Sequence, residues 1–403
     1  MTSMSAVASL PKSLLGSVIA AICGFALTAR DAAAVRPDPR PTQSAVERAA
    51  FIADLREKFA QPRDAWPKPT IDAGVEWREF GPIPAVPDPA DNPRTPPKIE
   101  LGRMLFFDPR LSGSGQLACA SCHEPDLAWS DGRAVSFGHN RTQLTRNAPS
   151  LLNAGLRASF FWDGRAASLE QQARDVLSNP DEMHSSEETL VEHLQLIPEY
   201  RRRFADVFGD EQVTMPRTAQ ALAAFERTIV GGSSRFDYFL NGKVNALKDD
   251  ELAGLQLFRT QARCMNCHHG PLLTDDKFHN IGVSKYGRPF ADLGRYQVTK
   301  DPADVGAFRT PSLRNLNKTG PYMHSGMFIL DELVVLYNGG MPHPRRNDKQ
   351  QHDPLFPTTS QLLKPLNFNE QDFTDLKAFL STLSEPPRRV LPPKLPPMSD
   401  DVQ

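Results

Sequence analysis

The chain has 403 residues, enough for two domains or a little more. Its 46 Lys and Arg nearly balance 48 Asp and Glu, so no charge excess points to nucleic acid or to an anionic membrane surface. A hydrophobic content of 40% is ordinary for a soluble protein, and 36 prolines predict many loops and a modest share of regular structure.

The first apolar run reads as an export signal. Lys12 gives a thin positive region, Leu14 to Leu27 an apolar stretch too short to span a bilayer comfortably, and Ala32-Ala33-Ala34 a cleavage site before Val35. Residues 1–34 are therefore expected to be a signal peptide, with a retained anchor as the competing reading. Cys23 follows Ile22 rather than Gly or Ala, which argues against a lipoprotein. No other segment is apolar for long enough to cross a membrane, so the mature protein is expected to have no span.

Residues 35–96 read as a Pro-rich extension carrying one helix, Ser44 to about Phe59, with Ala45, Ala49, Ile52, Leu55 and Phe59 on one face. A short helix from Ile99 to Phe106 then leads into Cys119-Ala120-Ser121-Cys122-His123. A matching helix, Glu251 to Phe258, leads into Cys264-Met265-Asn266-Cys267-His268. C-x-x-C-H is the attachment signal for c-type haem: the two thiols add across the vinyl groups of one porphyrin, and the following histidine becomes the proximal iron ligand. Zinc and thioredoxin-like chemistry also use C-x-x-C, but zinc asks for four grouped ligands, and here each pair stands far apart with its own histidine. Two covalent haems are expected, on Cys119, Cys122 and His123 and on Cys264, Cys267 and His268. Four of the five cysteines are thereby committed, and loss of Cys23 with the signal leaves no thiol for a disulfide. Haem c is attached outside the cytoplasm in bacteria, so the periplasm is the expected location.

The two halves share more than these motifs. Arg146-Asn147-Ala148-Pro149-Ser150-Leu151-Leu152-Asn153 parallels Phe308-Arg309-Thr310-Pro311-Ser312-Leu313-Arg314-Asn315, and Trp162-Asp163-Gly164 falls where the second copy has Pro321 to Gly326. Such a repeat implies two homologous haem domains. They are placed at 97–230 and 231–386, joined by a helix from about Thr218 to Val230. Gly231-Gly232-Ser233-Ser234 reads as a hinge or turn, and 387–403 as a Pro-rich tail, disordered or packed as extended coil.

From about Pro97 to Leu383 the sequence resembles the bacterial di-haem cytochrome c peroxidase and MauG family. The resemblance rests on both C-x-x-C-H motifs, Asp131-Gly132-Arg133, Arg146-Asn147-Ala148-Pro149, Phe161-Trp162-Asp163-Gly164-Arg165-Ala166, Asn179-Pro180-Asp181-Glu182-Met183 and Pro321-Tyr322-Met323-His324, in that order and spacing. It implies a mostly α fold of two cytochrome-c-like domains related by internal duplication and packed face to face. It also implies a set of roles. His139 takes the place of the distal histidine of the first haem, which in the family swings away to open the iron. Glu182 matches the distal acid; splitting peroxide needs a group that takes a proton from one oxygen and returns it to the other. Gln172 matches a second distal-pocket residue and Trp162 the tryptophan between the haems. Asn147, Thr319 and Pro321 match a calcium site of one side-chain amide and two carbonyls, oxygen donors of the kind Ca2+ prefers. His324 faces Trp162 in the repeat and is expected near the propionates of the second haem.

The sequence departs from the peroxidase pattern at the second haem. The distal position, a methionine in typical members, falls on Tyr337 as in MauG, with Met341 close enough to be a rival. A phenolate is hard and anionic and favours ferric or higher iron, whereas a thioether favours ferrous iron. The leading expectation is a periplasmic enzyme reducing hydrogen peroxide to water with electrons from a small cytochrome c or cupredoxin. The alternative is a MauG-like enzyme that oxidises side chains of a partner protein; a plain electron-transfer cytochrome comes third. Family peroxidases are commonly dimers, but no interface signal is visible here.

Overall fold

The computed structural model describes residues 39–398, so the expected signal peptide and the last residues of the tail lie outside the described residues. The molecule is built from helices, and the longest define two pairs. Helix α1 spans Ala45–Phe59, α2 Pro96–Phe107, α3 Leu169–Ser178, α4 Pro198–Phe208, α5 Met215–Glu226, α6 Arg235–Leu240, α7 Asp249–Arg259, α8 Leu330–Asn338 and α9 Glu370–Ser381; single helical turns link them. Local chemistry sets several starts. Thr95 and Thr214 accept hydrogen bonds from Lys98 N and Arg217 N at the heads of α2 and α5, each with a proline in the first turn, where a missing N–H costs nothing. This proline moves α5 upstream of the stretch expected from periodicity, and the helix ends before Gly231.

Helix α2 packs on α5, and α7 packs on α9. Each crossing is closed at a glycine. A Cβ on Gly102 would lie 1.9 Å from the carbonyl oxygen of Ala221, and one on Gly254 would lie 1.9 Å from that of Asp375. Backbone against backbone is the closest approach two helices can make, and only glycine permits it. Gly102→Ala and Gly254→Ala should each destabilise the fold by about 1–3 kcal/mol, the cost of overpacking, read as a lowered midpoint in thermal unfolding.

Around the α2–α5 pair lies one core, with Leu101, Leu105, Phe106, Leu194, Tyr200, Phe204 and Leu222 fully buried. Around the α7–α9 pair lies a second, with Phe236, Leu255, Phe258 and Phe379 at its centre. Leu55 and Phe59 of α1, with Trp66 and Phe80 after it, also enter the second core. Arg48 of α1 holds Asp375 of α9 through two hydrogen bonds of 2.6 and 2.8 Å. The N-terminal extension is thus part of the second core.

Among the described residues the only sheet has two strands, β1 Phe278–Asn280 and β2 Ala307–Arg309, antiparallel with His279 opposite Phe308. Gly231-Gly232-Ser233-Ser234 is a turn: Glu385 accepts from Gly232 N, and Ser234 caps α6 through Asp237 N. The tail up to residue 398 has no helix, and it is pinned by Arg103 and Arg110, which donate to the carbonyl oxygens of Leu391 and Pro396 at 2.8 and 3.0 Å. No helix among the described residues is long and apolar enough to cross a membrane.

Candidate active site

A cavity of about 1180 Å³ runs through the molecule and is lined by both C-x-x-C-H motifs. Each motif forms a tight turn, Cys119–Ser121 and Cys264–Asn266, and the backbone N–H of the following histidine donates back to the first cysteine's carbonyl, His123 to Cys119 at 3.0 Å and His268 to Cys264 at 2.8 Å. The histidine rings are held the same way. His123 Nδ1 lies 3.1 Å from the carbonyl oxygen of Trp129 and His268 Nδ1 3.0 Å from that of Leu273. A ring that donates from Nδ1 keeps its Nε2 lone pair for a metal. Burial favours the neutral imidazole, lowering His123 and bringing His268 to about 4. Burial pushes the Cys119 thiol up and the Cys264 thiol to about 12. Paired thiols, a preset imidazole and one large apolar-walled cavity fit a covalent haem at each motif.

Helix α3 also walls the cavity, with Leu169, Gln172, Ala173, Val176 and Leu177 lining it from one helical face. The turn after α3 supplies Glu182. Asn179 accepts from Asp181 N at 3.0 Å and donates its amide N–H to Glu182 Oε2 at 3.0 Å, fixing the carboxyl at the wall. Burial raises the pKa of Glu182 against the opposing pull of Arg165 and Asn179, so the group can hold a proton where a bare carboxylate would not.

His139 is placed differently from its neighbours. The loop carrying it is clipped to the Glu182 turn by His139 N, which donates to the carbonyls of Asp181 at 3.1 Å and Glu182 at 2.9 Å. Gly138 allows the approach, since a Cβ there would sit 1.9 Å from Asp181 O. Asn140 and Arg141 follow at φ of 51° and 62°. The His139 ring stacks on His184, with centroids 4.3 Å apart, and is not among the side chains lining the cavity.

At the second motif, α8 presents Leu330, Leu333, Val334 and Tyr337 to the cavity, again one helical face. Burial holds the proton on the Tyr337 phenol. Met341 is buried beyond the end of α8, at φ of 65°, and does not line the cavity. Of the two rival positions, the structure brings only Tyr337 to the second motif.

Elsewhere on the cavity wall, Trp162 donates from Nε1 to Asn147 O at 2.8 Å and meets His324 edge to face at 6.5 Å. His324 is stacked on Phe308 at 3.6 Å, and burial lowers it to about 4. Asn147, Thr319 and Pro321 line the same cavity. Asn147 Nδ2 donates to Arg133 O at 2.7 Å. Its Oδ1 and the carbonyl oxygens of Thr319 and Pro321 accept no hydrogen bond among the described residues, which leaves an all-oxygen set of donors.

Sequence reasoning gave no role to His279. Its Nε2 lies 2.7 Å from Asp275 Oδ2 on the cavity wall, and although burial alone would lower it, hydrogen bonds to Asp275 and Cys267 carry its pKa up to about 10. Cys267, Asp275 and His279 are close enough together to hold an ion, but Cys267 belongs to the second haem motif. The four-residue step from Asp275 to His279 was the one signal in the sequence.

Comparisons with known proteins agree with this geometry. Residues 96–245 match the family model for di-haem cytochrome c peroxidase. Methylamine utilization protein MauG of Methylorubrum extorquens is 41% identical over 317 residues, covering 77% of this chain and 85% of that protein. A cytochrome-c peroxidase of Denitromonas iodatirespirans is 38% identical over 336 residues, covering 76% of this chain and 86% of that one. The crystal structure of a MauG-like protein associated with microbial copper homeostasis superposes with a TM-score of 0.68 at 34% identity, over 77% of this chain and 95% of the other. Twin C-x-x-C-H turns on one cavity, with relatives matched along most of their length, mean that this chain belongs to the di-haem cytochrome c peroxidase and MauG family, oxidoreductases acting on hydrogen peroxide with two haems c.

Proposed function

We propose that the protein reduces hydrogen peroxide to water at the first-motif end of the cavity. The observation that carries this reading is Glu182, a carboxyl raised by burial and hydrogen-bonded to Asn179, on the wall of the cavity that His123 and Gln172 also line. Reduction of one peroxide consumes two electrons and two protons and yields two waters. Bound haem supplies the redox-active iron and the store of electrons. Glu182 takes a proton from the near oxygen of peroxide and returns it to the departing one, and Gln172 orients the substrate by hydrogen bonding. Trp162, between the two ends, is the stepping point for electrons supplied by a small cytochrome c or cupredoxin.

The same reading takes residues 97–230 and 231–386 as duplicated haem domains packed face to face. The paired crossings at Gly102 and Gly254, each closing its own core, support it. It places Ca2+ at Asn147, Thr319 and Pro321, supported by their unengaged oxygens. It places the protein in the periplasm, supported by the N-terminal apolar run and by the haem attachment motifs. Tyr337 favours a second reading, in which the electrons come from side chains of a partner protein as in a MauG-type reaction.

The test is the visible spectrum of the fully oxidised, haem-loaded protein before and after one equivalent of hydrogen peroxide. With His139 stacked on His184, the Soret band should change at once without prior reduction. A spectrum unchanged by peroxide in both the oxidised and the one-electron-reduced protein would overturn both enzymatic readings and leave an electron carrier.

A further inference from the structure

The cavity wall beside Trp162 carries an unbalanced charge. Arg157 and Arg309 both line the cavity, and their side chains are only 9% and 11% exposed. They share one carboxylate oxygen: Arg157 Nη2 lies 2.5 Å and Arg309 Nη1 3.2 Å from Asp276 Oδ1. The neighbouring Asp275 also attracts Arg157, but it is held at 2.7 Å by His279, itself carried up to about 10, so that pair adds a cation along with its carboxylate. Two buried guanidiniums against one carboxylate leave a net positive charge in a mostly apolar wall, which is costly unless an anion answers it.

Their hydrogen-bonding capacity is also incompletely used. Arg157 Nη2 donates to Thr310 O at 3.0 Å and Arg309 Nε to Phe161 O at 3.2 Å. Arg157 Nε is buried with no partner. Neither Arg157 Nη1 nor Arg309 Nη2 has a hydrogen-bond acceptor among the described residues. Burial and the neighbouring Arg309 bring Arg157 down to about 9, in keeping with a cation that lacks its counter-ion. Planar guanidiniums with free N–H groups are built for a carboxylate.

We propose that Arg157 and Arg309 form a buried carboxylate-binding site that takes a propionate of one of the two haems. The thioether bonds fix each porphyrin by its vinyl edge at a cysteine turn, which leaves the propionate edge to find charge elsewhere on the cavity wall. Arg309 is tied to Trp162, since its backbone N–H donates to the tryptophan's carbonyl oxygen at 2.8 Å. The pair therefore sets the charge, and with it the reduction potential, of a haem at the point where the two halves meet. The proposal rests on haem filling the cavity and not on peroxide reduction, so a protein inert to peroxide would leave its test intact.

The experiment compares haem-loaded wild type with Arg157→Gln, Arg309→Gln and Arg309→Lys. The readouts are the resonance Raman propionate-bending bands and the midpoint potential of each haem. The thioether bonds should keep haem content at the wild-type level. In each Gln variant the propionate band of one haem should move and that haem's potential should fall, because a positive charge that favours the reduced state is lost. Whether the first or the second haem responds identifies the source of the propionate. Arg309→Lys should recover most of the potential. Unchanged propionate bands in both haems would overturn the site, as would a lysine variant shifted as far as the glutamine variant. If Arg309→Gln does not accumulate, Arg157→Gln reads the same bands.

Discussion

Replacing Glu182 by Gln should slow peroxide turnover by about 10²–10⁴-fold, the usual contribution of a positioned proton-transfer group. Glutamine keeps the size of the side chain and can still accept from Asn179, but it cannot carry a proton between two oxygens. Steady-state peroxidase assays with an artificial electron donor read the loss, and both haem spectra should stay as in wild type. The control is Glu192→Gln, an exposed carboxyl that does not line the cavity, which should leave turnover near normal. Turnover unchanged in Glu182→Gln would remove this carboxyl from the reaction. Turnover lost together with the first haem's spectrum would mean the turn itself had collapsed.

Replacing Tyr337 by Met should raise the midpoint potential of the second haem by on the order of 0.1 V, a modest part of the ~0.8 V that axial ligands span. Methionine from the same face of α8 reaches the same end of the cavity and offers a soft, neutral sulfur that stabilises ferrous iron. The shift is read by spectroelectrochemical titration. In turnover it should carry the protein toward a requirement for prior reduction by an electron donor. A potential that does not move in Tyr337→Met would mean that the phenol is not the iron's sixth ligand, whatever its place on the cavity wall.

The haem sites were legible because their chemistry is local. A C-x-x-C-H turn contains the thiols, the ligand and the backbone bond that organises them within five residues. Tyr337 was reached through the family resemblance alone; that it lines the cavity goes with the helical stripe of Leu330, Leu333, Val334 and Tyr337. Position against distant partners was not legible. The apolar stripe of α1 showed that Leu55 and Phe59 would be buried but not that they would join Phe239 and Leu252 in the second core. The ring of His139 is set by hydrogen bonds to the Glu182 turn and by left-handed residues at 140 and 141, none of which has a sequence signature. The Arg157–Asp276–Arg309 cluster joins residues from both halves of the chain, and no pattern in the sequence marks them as neighbours.

The entry of α1 into the second core bears on how the molecule comes together. The buried residues of the first core run from Leu101 to Ile229, a contiguous stretch that can close without the rest of the chain. The second needs its earliest and latest contributors together: Arg48 and Asp375, which hold each other, are 327 positions apart. Closing so long a loop is slow, so the α7–α9 half must be the last to form. Until it does, the apolar face of α1 has no partner, and the interval between the two closures is when the chain is most exposed to aggregation and proteolysis.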